Sequence, residues 1–452
     1  MNITVVGCGK IGTTILSNLV AEGHDVIGID NNSEVIEQIT NTYDAMGVCG
    51  NGTDCETLSE ANVEHTELIV AATGSDELNM LICFIAKRMG AKHTIARIRN
   101  PEHSERSINF LRQQLDLSMI INPEMLAARE LFNILKLPSA AKIETFSRRN
   151  FEIVELVLKP DSKLDGLSLI ELRKRYKSNF LIGVVKRGDD VYIPDGNFVL
   201  HSGDKVGITV SPNEVQKLLK SMGIMQKQAK SVMILGASKT AFYLSKMLLN
   251  SGNSVKIIDK DRDRCHAVGD ILNEAVVING DGARQEILLE GGLRSADAFV
   301  ALTGMDEQNI LISYYATLQN VPKVITKVNR SEFAKMADRL GLDCRISPRY
   351  IVSDIVVRYA RALQNSIGNN METLYKLMDG KAEAIEFNIS SDFPRLNIPL
   401  KEMKFRENTL IAGILRGRKA IIPSGDDVIL AGDKIIAFAV GRRIADMSDI
   451  ID

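Results

Sequence analysis

The sequence predicts an α/β protein of two tandem Rossmann-like lobes with doubly wound parallel sheets, each followed by a small α+β C-lobe. Two observations carry this prediction. The sequence contains an internal repeat of two similar copies. Each copy first alternates short Ile- and Val-rich segments with amphipathic segments, and then continues with closely spaced, hairpin-like strands. Alternating strands and helices are typical of βαβ units in a parallel sheet.

The internal repeat is read from segments that keep the same order in both halves. Residues 5–30, VVGCGKIGTTILSNLVAEGHDVIGID, align with residues 234–259, ILGASKTAFYLSKMLLNSGNSVKIID. Further matches pair AATGSDELNMLI (71–82) with ALTGMDEQNILI (301–312), and IPDGNFVLHSGDKV (193–206) with IPSGDDVILAGDKI (422–435). Chance does not produce several matches in register, so we interpret the chain as two copies of one unit.

The elements of the first copy follow in order from its patterns. ITVVG, DVIGID, ELIVAA and HTIARI are predicted strands, and the amphipathic segments KIGTTILSNLVAEG and DELNMLICFIAKRMG are predicted helices. One further helix is expected at 123–138, between Pro123 and Pro138. The strands EIVELVL, FLIGVVKRG, DDVYIP and DKVGITV then suggest hairpins.

This reading predicts four lobes. They are a first Rossmann lobe at 1–138, a first C-terminal lobe at 139–225, a second Rossmann lobe at 230–365 and a second C-terminal lobe at 366–452. The helix at 123–138 and its counterpart at 348–363 have broad apolar faces, which must be buried on a neighbouring module or on their own lobe.

Composition excludes several classes of function. Lys and Arg number 55 against 57 Asp and Glu, a net charge of -2, so no nucleic-acid partner is expected. No apolar run approaches the roughly 18 residues of a membrane span, and the start MNITVVGCGK lacks the features of a secretion signal. The six cysteines and six histidines show no metal-ligand spacing, which favours reduced thiols in a cytoplasmic protein and no metal site.

The motif GCGKIG, with Gly7, Gly9 and Gly12, follows a predicted strand and opens a predicted helix. The three glycines allow a tight turn, close approach of a pyrophosphate, and close packing of helix on strand. Asp30 ends the second strand, where a carboxylate can bind the adenosine ribose hydroxyls and repel a 2′-phosphate. These residues predict a site for NAD or an adenine nucleotide rather than NADP.

The second copy of this motif is degenerate. GASKTA keeps Gly236 but has Ser238 and Ala241 in place of the later glycines, while Asp259 is retained. Both replacements are small, so a second nucleotide site and a structural remnant both stay open here.

Further candidates follow the strands at the carboxyl edge of each sheet, where open α/β sheets bind ligands. Thr73 and Gly74 follow the fourth strand, either as ligand contacts or as part of a helix cap, and Thr303 corresponds to Thr73. Arg97 and its counterpart Lys327 end the fifth strands, where both are candidate phosphate ligands. The alternative for Arg97 is a surface salt bridge. Asn51 and Gly52 follow the third strand, beside the expected adenosine.

Catalytic groups are missing from the sequence. A dehydrogenase needs an acid or base beside the nicotinamide, and neither Y-x-x-x-K nor G-x-S-x-G occurs. His201 lies in the turn-like segment LHSGD, where we expect an exposed turn residue rather than a catalyst. We therefore expect no enzyme, and a nucleotide that serves as a signal.

With these motifs, the whole chain resembles the TrkA family, the peripheral NAD-binding subunits of Trk-type bacterial potassium uptake systems, which consist of two tandem RCK modules. The most specific features are GCGKIG with Asp30, AATGSDELNM, IARIRNP and the repeated GDK turns. The departures are GASKTA, which lacks the glycines, and Lys327, which replaces an arginine.

The resemblance implies a regulator of potassium conductance that responds to NAD(H), with ATP or ADP as possible further ligands. It also implies a Trk-type potassium-translocating membrane subunit as partner, a homo-oligomeric ring of four two-module chains, and a peripheral position on the inner face of the cell membrane. The alternatives are a sensor of another cation channel or antiporter, and an NAD-dependent oxidoreductase. Together, motifs and resemblance predict a set of cofactor-binding residues: Gly7, Cys8, Gly9, Lys10, Ile11, Asp30, Asn51, Gly52, Thr73, Gly74, Arg97, Gly236, Ala237, Ser238, Lys239, Thr240, Asp259, Thr303 and Lys327.

Overall fold

The structure is a computed structural model, and it describes residues 1–452 apart from 101–104, 138, 141, 147–150, 225–226, 343, 366–370, 443, 445 and 452. The chain divides into two compact units. One comprises Met1–Phe132 and Lys230–Ala360, and the other comprises Asn133–Ala229 and Arg361–Asp452. Each unit thus contains one segment from each half of the repeat.

The first half of the first unit is a six-stranded parallel sheet in the order β3-β2-β1-β4-β5-β6. This is the doubly wound order, in which the strand order reverses beside β1 and opens a crevice at the carboxyl ends. Its strands are β1 (Asn2–Val6), β2 (Asp25–Asp30), β3 (Met46–Cys49), β4 (Leu68–Ala71), β5 (His93–Arg97) and β6 (Met119–Ile121).

Helices connect these strands, and local sequence explains where they begin. Asn32 and Ser75 cap two of them, accepting hydrogen bonds from the N–H groups of Glu34 and Leu78. The helices are α1 (Lys10–Ala21), α2 (Ser33–Thr42), α3 (Cys55–Glu60), α4 (Asp76–Met89), α5 (Glu105–Gln114) and α6 (Pro123–Lys136).

The second half of this unit repeats the same sheet order, β14-β13-β12-β15-β16-β17. Its strands are β12 (Ser231–Leu235), β13 (Ser254–Asp259), β14 (Val276–Asn279), β15 (Ala298–Ala301), β16 (Lys323–Lys327) and β17 (Arg345–Ile346). Its helices are α9 (Lys239–Leu249), α10 (Arg262–Ile271), α11 (Gln285–Glu290), α12 (Asp306–Leu318), α13 (Ser331–Arg339) and α14 (Pro348–Asn365).

The two halves of this unit are joined by polar contacts as well as packing. Ser353 of α14 is fully buried, donates to the Thr14 carbonyl of α1 at 3.2 Å, and accepts from Asn18 Nδ2 at 2.7 Å. Helix α14 therefore contacts the other half of the same chain at Ser353, and the side chains of its Val352, Val356 and Val357 are buried.

The second unit consists of two five-stranded antiparallel sheets. The first has the order β10-β9-β11-β8-β7 and the second the order β18-β19-β22-β20-β21. A shared core that includes Phe151, Val184, Leu377 and Phe438 joins them. The elements are β7 (Lys142–Phe146), β8 (Phe151–Val157), α7 (Leu169–Arg175), β9 (Phe180–Arg187), β10 (Asp190–Tyr192), β11 (Lys205–Val210), α8 (Val215–Ser221), β18 (Met371–Leu377), β19 (Ala382–Asn388), β20 (Thr409–Arg416), β21 (Lys419–Ile421) and β22 (Lys434–Val440).

The predicted fold class is confirmed by these sheets, parallel in the two Rossmann-like lobes and antiparallel in the two small ones. The predicted helix at 123–138 extends over Pro123–Lys136, and its expected end at Pro138 lies outside the described residues. Residues 225, 366 and 452, at predicted lobe boundaries, also lie outside them, and the division into four lobes at those boundaries stays a prediction. None of the described helices combines the length and apolarity that crossing a membrane requires.

Candidate functional site

A cavity of about 780 Å³ lies at the carboxyl ends of the first parallel sheet. Its volume falls within the roughly 300–1,000 Å³ typical of small-molecule sites, and its position is the one at which doubly wound sheets bind ligands. The second Rossmann-like lobe contributes part of the wall. Predicted site residues on the wall are Gly7, Gly9, Lys10, Ile11, Asp30, Asn51, Gly52, Thr73, Gly74, Arg97, Ser238, Lys239, Thr240 and Lys327.

The glycine loop is tightly packed because backbone atoms of other residues occupy the positions that a Cβ atom would take at two of its glycines. Gly7 has φ +87°, and a Cβ there would lie 2.7 Å from the Thr73 backbone. A Cβ on Gly12 would lie 2.0 Å from the Gly7 carbonyl oxygen. A Cβ on Gly9 would meet nothing within 4 Å. Gly7 and Gly12 therefore shape the loop, whereas Gly9 keeps the cavity open.

Helix α1 begins at this loop without a side-chain cap. Its N-cap residue is Gly9, which has no side chain to accept a hydrogen bond from the first turn. The first N–H groups of a helix have no partner within the helix, and together with the helix dipole they favour an anion. The wall at Gly9, Lys10 and Ile11 thus fits a phosphate group.

Asp30 is held in a fixed orientation at the end of β2. Its Oδ2 accepts from the Cys8 N–H at 2.7 Å, and its Oδ1 accepts from the Asn32 N–H at 3.0 Å. Each carboxylate oxygen can accept a second hydrogen bond, so the group can still bind two ribose hydroxyls. Cys8 itself lies outside the described wall. Burial, with the Asp30 charge, raises the pKa of the Cys8 thiol to about 12, and its contribution to the site is its backbone.

Thr73 and Arg97 are positioned by Asn79, a residue that the sequence analysis missed. Asn79 is fully buried, and its Oδ1 accepts from the Thr73 N–H at 2.8 Å and the Thr73 hydroxyl at 2.7 Å. Its Nδ2 donates to the Arg97 carbonyl at 2.8 Å. One amide therefore ties the ends of β4 and β5 together. The repeat itself contained the signal, because Asn309 makes the same bonds to Thr303 and Lys327.

The cavity is strongly basic. Its described wall carries Lys10, Arg97, Lys239, Lys327 and Arg349 against the carboxylates of Asp30 and Glu124. Burial, helped by Arg99, lowers the pKa of the Arg97 guanidinium against the opposing charge of Glu124, 3.8 Å away. Burial also lowers the pKa of the Lys327 ammonium. Partly desolvated cations favour an incoming anion.

Several polar atoms on this wall are buried without a hydrogen-bond partner among the described residues. They are Arg97 Nε, Arg349 Nε and Glu124 Oε2. Buried polar groups are ordinarily paired, so these three side chains have hydrogen-bonding capacity that the described residues do not use. Glu124 and Arg349 were missed by sequence reasoning, which treated their helices only as apolar surfaces. Taken together, the wall fits a phosphate-bearing nucleotide.

The degenerate second loop lies across this cavity. The Ser238 hydroxyl caps α9 by accepting from the Ala241 N–H at 3.3 Å. The start of α9 therefore has a side-chain cap, whereas the corresponding start of α1, at Gly9, has none. The resemblance implied that Ser238, Lys239 and Thr240 contact nucleotide in the second half, and the structure places them, with Lys327, on the wall of the first-half cavity. The remaining predicted residues of the second half lie outside the described wall: Gly236, Ala237, Asp259 and Thr303.

Asp259 nevertheless retains the geometry of Asp30. It accepts from the N–H groups of Ala237 at 2.6 Å and Asp261 at 2.9 Å. The second half keeps the fold of a ribose site, but its helix end is capped by its own serine. Among the described residues, no group of three or more His, Cys, Asp or Glu side chains could hold a metal ion.

The chain has two Rossmann-like lobes around one basic cavity, and each is followed in sequence by a small antiparallel lobe. This arrangement defines a class of tandem two-module ligand-binding proteins. The TrkA-N domain family matches residues 3–123 and 232–348, and the TrkA-C domain family matches residues 153–223 and 384–452. The chain belongs to the TrkA family, and the resemblance drawn from its sequence is confirmed.

Curated relatives match over nearly their whole length. The chain is 30% identical over 450 residues to the Trk system potassium uptake protein TrkA homolog of Archaeoglobus fulgidus, covering 100% of both chains. It is 29% identical to TrkA homolog 1 of Methanosarcina mazei, covering 99% of both. It is 27% identical to the Trk system potassium uptake protein TrkA of Haemophilus influenzae, covering 98% of this chain and 96% of that protein.

Solved structures share the fold at lower identity. The crystal structure of the GsuK RCK domain is 17% identical with a TM-score of 0.64, over 97% of this chain and 92% of that chain. The structure described as the GsuK channel bound to NAD is 16% identical with a TM-score of 0.64, over 97% and 77%.

Proposed function

We propose that this protein is a nucleotide-sensing regulatory subunit that gates potassium uptake through a Trk-type membrane subunit. The observation that carries the proposal is the basic cavity itself. The open end of α1 and the fixed Asp30 carboxylate lie on one side, and Lys239, Lys327 and Arg349 of the second lobe lie on the other. The names of the relatives support the transport system, and a neighbour of the same fold is described as bound to NAD.

The proposed ligand is NAD(H), with ATP and ADP as competitors. Its adenosine ribose would be held by Asp30, beside Asn51 and Gly52, and its phosphates by the α1 end and Arg97. When bound, the nucleotide supplies negative charge between the two lobes. A ligand shifts a conformational equilibrium only through its different affinities for the two states. Because Lys239, Lys327 and Arg349 come from the second lobe, ligands with different phosphate charge would favour different separations of the lobes.

The role is regulatory rather than catalytic in this proposal. Arg97 and Glu124 face each other at 3.8 Å, and the remaining cations of the wall are suited to binding the negatively charged phosphates of the ligand.

We also propose a cytoplasmic protein that assembles as a ring of four chains on the membrane subunit, where small movements of the lobes add together. Couplings between effector sites are typically about 1–3 kcal/mol each, which corresponds to about 5–150-fold in a state ratio.

Two measurements on the full chain test this proposal. Calorimetric titration should show that NADH binds better than NADPH, because Asp30 repels a 2′-phosphate, and Asp30→Ala should weaken NADH binding by about 1.5–3 kcal/mol. Potassium flux through liposomes containing a Trk-type membrane subunit and this chain should then change when nucleotide is added. Equal affinities for NADH and NADPH would refute the ligand assignment, and flux indifferent to a bound nucleotide would refute the regulatory role.

A further inference from the structure

One tyrosine of the second Rossmann-like lobe contacts the first lobe beside the cavity. Tyr243 lies on α9, and its hydroxyl accepts a hydrogen bond from Asn122 Nδ2 at 3.0 Å. The same hydroxyl donates to the Arg99 carbonyl at 3.3 Å. Both roles of a phenolic hydroxyl are thus used, and both partners belong to the other half of the chain.

Each partner of Tyr243 is one step from the cavity wall. Asn122 caps α6 by accepting from the Met125 N–H at 2.9 Å, and the two residues that follow it, Pro123 and Glu124, line the cavity. Arg99 donates its guanidinium to the carbonyl of Gly74, another wall residue. A shift of either wall segment is therefore transmitted to the partners of the tyrosine hydroxyl.

Helix α9 also reaches the cavity directly. Its first residues, Lys239 and Thr240, lie on the wall, and Tyr243 follows about one turn later. A helix is a stiff element, so a ligand that draws Lys239 inward must also move the Tyr243 hydroxyl relative to Asn122 and Arg99. The tyrosine is placed where a movement of the second lobe and a change at the cavity meet.

Among the described residues, the opposite side of the unit has no equivalent tyrosine link. Thr14 occupies the position of Tyr243 in the repeat, and its hydroxyl donates to the Lys10 carbonyl of its own helix at 2.8 Å. The link on that side is made by Ser353, in the interior of α14, which lies outside the described wall of the cavity. In the described residues, the tyrosine link thus joins α9 of the second half to segments of the first half, whose helix α1 has the open end.

We propose that Tyr243 is a positioning residue that couples nucleotide occupancy of the first-half cavity to the position of the second Rossmann-like lobe. The proposal deepens the regulatory function above and rests on nucleotide binding at that cavity. Without the hydroxyl, the cavity keeps its own ligand contacts, while the second lobe no longer follows the start of α6 and the Arg99 segment.

The test is hydrogen–deuterium exchange of the full chain with and without saturating NADH or ADP, beside calorimetry. In the wild type, ligand should slow exchange along α9 beyond its first turn by at least about fivefold, the lower end of typical couplings. In Tyr243→Phe this slowing should be lost while affinity changes less than about threefold, which is below a typical net hydrogen-bond contribution. Asn122→Ser, which keeps a capping oxygen for α6 but removes the amide Nδ2 donor to Tyr243, should behave in the same way.

A second interlobe tyrosine provides the matched control. Tyr359 of α14 has its hydroxyl 3.4 Å from His93 Nδ1, and His93 begins β5, at the sheet edge opposite the cavity. Tyr359→Phe should leave the ligand effect on α9 unchanged. Wild-type slowing of α9 in Tyr243→Phe, or equal loss in both variants, overturns the proposal. This readout needs no membrane subunit, so the role of Tyr243 can be tested even if potassium flux does not respond to nucleotide. An absent flux response would refute the regulatory function alone. Absence of any nucleotide binding would refute both the regulatory function and the role of Tyr243.

Discussion

At the scale of single residues, the buried amide of Asn79 organises the edge of the candidate site. Asn79→Ala leaves the Thr73 N–H and the Arg97 carbonyl without their partner, and we expect the free energy of unfolding to fall by about 1–3 kcal/mol. Nucleotide affinity should also fall by about tenfold, or about 1.4 kcal/mol, because Thr73 and Arg97 line the cavity. Urea unfolding and calorimetric titration measure the two effects.

The repeat supplies the control for this substitution. Asn309 makes the same bonds to Thr303, which lies outside the described wall, and to the Lys327 carbonyl. Asn309→Ala should cost similar stability but less affinity, because only one of its two partners, Lys327, lies on the wall. Equal losses of affinity in both variants would show that Asn79 acts through general stability and not through the site.

At the scale of elements, two glycines at the start of α1 should affect nucleotide affinity and folding stability separately. Gly9→Val places a side chain in the cavity without a clash, since nothing lies within 4 Å of its Cβ position. We expect NADH affinity to fall at least about a hundredfold, or roughly 2.7 kcal/mol, with little change in the thermal midpoint. Gly12→Val should instead destabilise the lobe by about 3 kcal/mol, because its Cβ position lies 2.0 Å from the Gly7 carbonyl.

Ser238→Val is the corresponding change in the second half. It removes the cap of α9 and should cost about 1 kcal/mol of stability, with a smaller loss of NADH affinity than Gly9→Val causes. Titration of both variants ranks the two loops. If Ser238→Val proves the more damaging to binding, the open end of α1 is not the principal phosphate site.

At the scale of the whole molecule, the unit of small lobes depends on a buried charge cluster. Glu155 of β8 is almost completely buried, with Lys205 Nζ 2.8 Å from its Oε2, and its Oε1 accepts from the Met378 N–H at 2.9 Å. Asp379 lies 3.2 Å from the same ammonium group and joins the second small lobe to the first. Burial would raise the pKa of Glu155, but Lys205, Lys142 and the Met378 hydrogen bond hold it below its usual value.

The pH dependence follows from these directions. The lowered pKa of Glu155 adds stability above its unfolded value of about 4.3, and this contribution is lost as pH falls through the folded value. Lys205 is desolvated, yet Glu155 and Asp379 raise its pKa, so its contribution is complete below about 10.4 and is lost as pH rises beyond that. Stability from the pair should therefore be flat between these limits, as denaturant unfolding at several pH values can show.

Glu155→Gln tests the cluster directly. It leaves Lys205 buried with Asp379 as its remaining anion, so we expect a loss below the roughly 3–5 kcal/mol of an uncompensated buried charge near neutral pH. The counterpart Glu386→Gln is the control, because Lys434 lies 3.9 Å from Glu386, whereas Lys205 lies 2.8 Å from Glu155, and each lysine keeps one further acidic partner. A loss at Glu386 as large as that at Glu155 would contradict a special role for the first cluster.

The repeat, the sheet class and the glycine loop could be predicted because each has a local signature. Gly7, Gly9 and Asp30 lie at fixed distances within one βαβ unit, so their spacing alone indicates the chemistry. Glu124 and Arg349 begin helices whose relation to the cavity depends on how distant segments pack, and no local pattern records that. The same reason explains why no local pattern could show that Lys239 and Lys327 of the second copy lie on the wall of the first-half cavity.

The serine that closes the second loop has a consequence for symmetry. In a dimer of identical one-module chains, every substitution occurs on both sides of the twofold axis. A chain that carries both modules can replace Gly9 of one copy by Ser238 in the other and leave the first copy intact. The tandem chain is thus a covalent pair of unequal modules, in which the first keeps the uncapped helix end and the second contributes part of the wall of the same cavity.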